Sequence, residues 1–519
     1  MKILVLILVF VLSSFSAYSQ NILISDTLKP NEPSIVIDPN HPNRIYAGAN
    51  IDGVYWSLDT GRTWHIGRMF SSFGVWGDPV LIVDTLSTVY FFHLSNVPGE
   101  TWIDRLVCQK MKFGETYFDD GRAIGLNGTK QQDKEWAVVD RNNNNIYMTW
   151  TQFDRYGSTN PTHRSNILFS KSTDEGESWT TPKAINLKDG SCLDDDYTVE
   201  GSVPAVGPNG EIFVAWSGED GIYFDRSTDQ GVTWLVNDII VDDQPGGWVF
   251  SVPGLNRCNG MPVTKCDLSG GENHGTIYIN WTDQRYGEDD TDVWLTKSTD
   301  GGFTWAEPKR VNDDPSGSHN FLTWMAIDQT TGYLYFVFYD RRNHPDNYTD
   351  VYLAVSTDGG ETFLNRKISE EPFRPINNVF FGDYTNIDVV NGVVRPIWTR
   401  MDGKYTSIWT HLTTHEELVT SVEEERDLPN IISTKNYPNP AKDFNYISFK
   451  IKNRSRVSIS LINSIGQELA APVRNQEYEM GKYTIPIDLC SLGLTSGFYY
   501  YIIRIDNKIK IEKLIIANK

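Results

Sequence analysis

Four times the sequence places an arginine and a carboxylate just after an aromatic-rich apolar run. The stretches are Trp150-Thr151-Gln152-Phe153-Asp154-Arg155, Trp281-Thr282-Asp283-Gln284-Arg285, Phe338-Tyr339-Asp340-Arg341-Arg342 and Trp398-Thr399-Arg400-Met401-Asp402. A guanidinium presents two parallel N–H donors that match a planar carboxylate and bind it more strongly than neutral donors do. Arg155, Arg285, Arg341 and Arg400, with Asp283 among them, are therefore expected to hold an acidic ligand if their elements bring them to one rim. The alternative is that each arginine braces its own loop. Asp78, Asp133-Lys134-Glu135, Asp194-Asp195-Asp196, His319 and Asp383-Tyr384 lie in connections expected on the same rim. Gly287-Glu288-Asp289-Asp290-Thr291-Asp292 and Asp346-Asn347-Tyr348-Thr349-Asp350 offer closely spaced hard oxygens suited to calcium, without the EF-hand spacing, and solvated acidic loops are the plainer reading. No cofactor is otherwise called for.

What must position these groups is a β architecture. The 519 residues hold 16 Trp, 25 Tyr and 41 Gly, and few long stretches have a helical period. With 46 basic against 67 acidic residues the net charge is −21, which repels phosphate backbones and anionic lipid, so nucleic-acid binding is not expected. Lys2, the apolar run Ile3 to Val11 and the small residues Ala17 and Ser19 before Gln20 predict a secretory signal peptide over residues 1–19. The five cysteines are too scattered for a disulfide framework or a zinc spacing. Only Cys258 and Cys266 are near each other, and a bridge and two free thiols both stay open there.

Five octets share the form Ser-x-Asp-x-Gly-x-x-aromatic, beginning at Ser57, Ser172, Ser227, Ser298 and Ser356. Each reads as a hairpin turn: Asp59, Asp174, Asp229, Asp300 or Asp358 accepts backbone N–H groups, and a glycine takes the left-handed position. Five copies cannot all line one active site, so these aspartates are structural. A second repeat, an apolar strand ending at Asp or Gly, a turn, then an aromatic strand, occurs seven times, from Ser34-Ile35-Val36-Ile37-Asp38 to Thr385 through Asp388. Seven copies give roughly 55 residues per unit, suited to a four-stranded propeller blade. Asn21 to Asp26 looks like an orphan fourth strand that completes the last blade and leaves no open edge.

The octets resemble the Asp-box of bacterial neuraminidase repeats. The expected fold class is therefore all-β: a seven-bladed, sialidase-like β-propeller over residues 21–415, with a six-bladed ring, as in sialidases themselves, as the alternative. In that family a Tyr nucleophile is activated by a carboxylate, because the substrate's own carboxylate repels an anionic nucleophile. The resemblance thus implies Tyr384 or Tyr339 as nucleophile, Asp383 or Asp340 as acid, and Arg285, Arg341 and Arg400 as carboxylate clamp. The family's early Arg-Ile-Pro segment is missing. Phe373-Arg374-Pro375 lies near the other end, so the catalytic set does not carry over residue by residue.

Beyond a charged stretch, Glu423-Glu424-Glu425-Arg426-Asp427, a linker over residues 416–435 gives way to Tyr437-Pro438-Asn439-Pro440-Ala441 and short alternating strands. With Gly466, Gly497-Phe498-Tyr499 and Lys513-Leu514-Ile515, residues 436–519 resemble the C-terminal sorting domain of the type IX secretion system, a small β-sandwich. That implies outer-membrane secretion machinery as a partner and a location at or beyond the cell surface. The expected function is hydrolysis of an acidic glycan by a monomer. The alternatives are a non-catalytic glycan-binding propeller and a polysaccharide lyase, for which His319 beside Arg341 is the candidate pair.

Overall fold

The computed structural model describes residues 20–315, 317–420, 431–451, 453–463, 467–506 and 508–517. The predicted signal peptide and Gly466 lie outside them. The chain divides into two compact units, up to Val419 and from Thr420.

In the N-terminal unit the described residues form seven antiparallel sheets built on one plan. In the first, Ser34–Ile37, Ile45–Ala49, Gly53–Ser57 and His65–Arg68 pair in chain order. The first strands of the next six are Val80–Val83, Gln131–Val139, Glu200–Val206, Val263–Cys266, Asn320–Asp328 and Asn386–Val390. Each first strand touches that of the next sheet, and Asn386–Val390 touches Ser34–Ile37, so the contacts close into a cycle. Asn21–Ser25 pairs with Tyr405–His411, Asn21 facing His411 and Leu23 facing Trp409, and is the outermost strand of the seventh sheet.

Inner strands such as Val80–Val83 and Val89–Leu94 are buried at every position, because neighbouring sheets cover both their faces. That is why they read as continuous apolar runs rather than alternations. Outermost strands are short and polar, as in His65–Arg68 and Lys309–Arg310, where charge discourages pairing with another chain.

All five octets join a third strand to a fourth by one hydrogen-bonded turn. In the first, Ser57 Oγ donates to Asp59 Oδ1 at 2.8 Å and accepts from Gly61 N at 2.8 Å. Thr63 donates its N–H to Asp59 Oδ1 at 2.9 Å and its hydroxyl to Oδ2 at 2.7 Å. Asp174, Asp229, Asp300 and Asp358 repeat the pattern. In the third octet Gly231 has φ 82°, and a Cβ there would run into the Phe169 ring. Gly231→Ala is expected to lower the stability of this unit by about 3 kcal/mol, combining left-handed strain with overpacking, as read from denaturant unfolding.

All five cysteines are free thiols, and Cys258 and Cys266 sit in different apolar clusters. The C-terminal unit has a three-stranded sheet, Ile431–Tyr437, Phe444–Ile451 and Gly481–Asp488, and a four-stranded one, Glu468–Tyr478, Ser455–Asn463, Gly497–Ile505 and Lys508–Ile516. Phe449, Ile459, Tyr501 and Leu514 belong to their common core. The segment expected as linker holds most of the helix His415–Thr420 and the start of the strand Ile431–Tyr437, with residues 421–430 outside the described part.

Candidate functional site

The first strands do not enter the cycle as plain strands. Pairing slips between Asp133 and Trp136, between Glu200 and Val203, and between Phe321 and Trp324. Each slip is a bulge whose extra residue is left-handed: Lys134 (φ 51°), Gly201 (φ 77°) and Leu322 (φ 50°). Glu32 (φ 49°), Asp78 (φ 50°) and Gly382 (φ 108°) hold the same conformation just before the first strands of the first, second and seventh sheets. A left-handed non-glycine residue costs about 1 kcal/mol or more, and bulges re-aim side chains. Four of these six residues are not glycine, and strain repeated where four sheets begin marks a site rather than a turn requirement.

These re-aimed residues converge. Lys134 Nζ lies 2.8 Å from Asp383 Oδ2, 3.2 Å from Asp78 Oδ2 and 3.7 Å from Glu32 Oε1, all four side chains buried. Arg257 donates from Nε to Asp383 Oδ1 at 2.6 Å, from Nη2 to Asp383 Oδ2, and from Nη1 to Asp194 Oδ2 at 2.8 Å. It stands in a hairpin, Val249–Phe250 with Cys258–Asn259, inserted between the fourth and fifth sheets. Asn259 Nδ2 fixes the Asp383 carbonyl at 2.8 Å.

Burial splits the titrations. Desolvation works to raise the Asp383 carboxyl, but Lys134 and Arg257 hold it well below the usual range, so it stays ionised. Burial, then the charge of Asp78, pushes Glu32 and Glu135 well above theirs. Glu200 goes the same way through burial and then Asp194, and Asp133 rises to about 7, chiefly through burial. Both carboxyl oxygens of Glu135, one of Glu200 and the Tyr384 hydroxyl are buried without a hydrogen-bond partner. An ionised carboxylate among proton-holding neighbours is the arrangement that separates base from acid. The Tyr384 ring packs edge-on to Trp136 at 5.4 Å, and burial raises its hydroxyl far above 10. Lys134, Asp383, Tyr384, Trp136, Asn259 and Thr282 help line a cavity of about 20 Å³, enough for one water.

Of the residues expected from sequence, Asp383 and Tyr384 lie at this site, with Asp78, Lys134, Glu135 and Asp194. The arginine clamp does not assemble. Arg155 is exposed. Arg285 pairs with Asp283 and, at 3.0 Å, with Asp242, and lies over the Trp294 ring; Asp283 also accepts Trp281 Nε1 at 2.9 Å. Arg341 is buried over Phe321 and donates to Pro253 O at 2.7 Å and Thr349 Oγ1 at 3.1 Å. Arg400 pairs with Asp402 at 2.9 Å and lines a separate cavity of about 230 Å³ with Trp398 and Trp409. Asp340 also lies elsewhere, bound to Arg342 at 2.7 Å. The Tyr339 hydroxyl donates to Thr399 O at 3.0 Å in an aromatic core. His319 is mostly buried against Thr291, and burial, then Arg341, brings it down to about 4.

In the acidic loops, Asp292 accepts from Asn312 at 2.6 Å, and Asp350 pairs with His344 and Lys367 at 3.0 Å each. Among the described residues no group of three or more His, Cys, Asp or Glu is arranged to hold a metal ion. Sequence reasoning missed Glu32, Glu200 and Arg257. Glu32 lies two residues before a first strand, as Asp78 does, and Glu200 opens one, so the repeat itself could have found them. Arg257 sits in an insertion that no other unit copies.

Comparison with known proteins gives two results. In overall structure the chain is similar to a Hadza microbial sialidase (12% identity, 72% of this chain and 73% of that chain covered, TM-score 0.41). It is also similar to an ulvan lyase of a polysaccharide lyase family (13%, 76% and 95%, TM-score 0.45) and to Trypanosoma rangeli sialidase (10%, 89% and 87%, TM-score 0.40). No curated protein matches it in sequence. Residues 435–517 match the family model described as the secretion system C-terminal sorting domain. The C-terminal end of the chain is thus a type IX sorting domain, which engages the secretion machinery and directs the protein to the cell surface or beyond.

Proposed function

We propose that residues 21–415 form a seven-bladed, Asp-box β-propeller that hydrolyses glycans outside the cell. Residues 436–519 would be the β-sandwich that exports it, joined by the linker 416–435 and preceded by the signal peptide 1–19. The observation that carries this reading is the buried constellation of a proton-holding Glu135, an ionised Asp383 and a partnerless Tyr384 hydroxyl. Glycoside hydrolysis needs a carboxylic acid to protonate the leaving oxygen and a second group to activate or replace water. Glu135 is the acid in this scheme. In this scheme the water-sized cavity beside Asp383 and Tyr384 would hold the attacking water, and the ionised Asp383 would take its proton. No cofactor enters the scheme, and a monomer suffices.

An acidic sugar, the class expected from the arginines, would have to share Arg257 with Asp383 and Asp194. An uncharged glycan makes no such demand, and both classes belong in the test. A second reading, glycan binding without cleavage, is favoured by the size of the cavity, which admits water but no sugar ring. The purified full chain is incubated with neutral and acidic polysaccharides and with fluorogenic sialosides, with and without calcium. New reducing ends without an ultraviolet-absorbing unsaturated product support hydrolysis. An unsaturated product means a lyase, and binding without cleavage leaves the second reading. A calcium requirement would call for an ion that no group of carboxylates among the described residues is arranged to hold.

A further inference from the structure

Next to the acid cluster stands an aromatic ledge that the chemistry above does not use. Trp76 lies in the connection from the first sheet to the second, and Trp102 in the connection between the second and third strands of the second sheet. They meet edge to face at 6.1 Å, and Trp102 meets Tyr156 of the third sheet edge-on at 5.9 Å. Both indoles are more than a third exposed, Trp76 by 38% and Trp102 by 37%.

Their loops are fixed. Trp76 N donates to Leu94 O at 2.9 Å, Leu94 N to Gly77 O at 3.0 Å and Ile103 N to Ser95 O at 3.2 Å, while Arg105 grips Asp104 at 2.7 Å. Indoles held rigidly in water forgo the burial that usually stabilises them, and such aromatics concentrate where a partner binds.

The ledge is also tied to the site. The Tyr156 hydroxyl donates to Asp194 Oδ2 at 2.6 Å, the oxygen that accepts Arg257 at 2.8 Å, and Arg257 holds Asp383. Beyond Arg257 the exposed Phe380 ring lies 5.3 Å beneath the guanidinium. Flat apolar faces bordered by a carboxylate and a guanidinium suit a sugar ring, which shows C–H bonds on its faces and hydroxyls around its edge.

Resting on the glycan reading above, we propose that Trp76 and Trp102 form a stacking subsite for the second and later sugars of a chain whose reacting unit sits over the acid cluster. The substrate is then an oligosaccharide or polysaccharide rather than a lone terminal sugar. The test is native affinity electrophoresis of the full chain through gels containing soluble xylan, mixed-linkage β-glucan, arabinan, pectin or alginate. It compares wild type with Trp76→Ala, Trp102→Ala, the double variant and Trp102→Phe.

At least one polysaccharide should retard the wild type. Each alanine variant should bind about tenfold more weakly, the scale of losing one aromatic anchor. Trp102→Phe should recover most of the loss. Unchanged melting of the alanine variants shows that they fold. Equal retardation of the double variant and wild type overturns the ledge while any hydrolysis still supports the glycan reading. A wild type that neither binds nor cleaves any polysaccharide overturns both.

Discussion

Lys134→Met is expected to destabilise the N-terminal unit by about 3–5 kcal/mol at neutral pH, the scale of removing one partner from a buried ion cluster. The ammonium lies within 3.7 Å of Glu32, Asp78 and Asp383, and methionine fills much of its volume without its charge. Arg257 still covers Asp383, but nothing replaces the cation beside Asp78 and Glu32. The loss should shrink on acidification. Lys134 lowers the otherwise raised Glu32 carboxyl, so without it Glu32 titrates higher still in the folded state, and the folded variant binds more protons and gains stability as pH falls. All 16 tryptophans precede residue 420, so tryptophan fluorescence in urea reports this unit alone. A variant as stable as wild type at neutral pH, or one that weakens further in acid, would mean that Lys134 does not hold the cluster together.

Glu135→Gln is expected to abolish most turnover while leaving the fold intact. Loss of a general acid slows reaction by about 10²–10⁴-fold. The sign of the stability effect follows from the direction of the shift. Burial and then Asp78 raise the Glu135 carboxyl well above 4.5, so its contribution is fully present below that value and is lost as pH rises through the folded one. Glutamine, neutral and of the same shape, does not titrate. The variant should therefore equal or exceed wild type in stability at neutral pH and show a flatter decline toward alkaline pH. Wild-type turnover should itself fall as pH rises and Glu135 gives up its proton. Parallel rate and urea-unfolding profiles over pH check both halves. Full turnover by Glu135→Gln would remove it from the acid role, and a large stability loss would mean that it is ionised and paired.

The sequence by itself determined what rests on short-range contacts. The five turns follow from Ser, Asp and Gly within eight residues of one another, and the seven inner strand pairs follow from apolar runs that only doubly covered strands carry. The N-terminal strand could be read because its pattern belongs outside any unit of its own. The motifs of residues 436–519 are local too, which is why the secretion route was legible.

Tertiary structure alone decided which charged residues meet. Arg285 is two residues from Asp283, Arg342 from Asp340 and Arg400 from Asp402. Arg400 and Asp402 are two apart in one strand and so share a face, while Arg285 and Arg342 fold back in the turns that follow Asp283 and Asp340 at their strand ends. Each of these arginines thus finds its carboxylate within its own turn, and the pull toward a common rim is gone before the sheets assemble. Arg257 and Asp383, 126 residues apart, are joined only because an inserted hairpin leans over the seventh sheet's entrance. No periodicity encodes that contact. It exists because closing the cycle of sheets leaves buried carboxylates that bring their cations from wherever the chain supplies them.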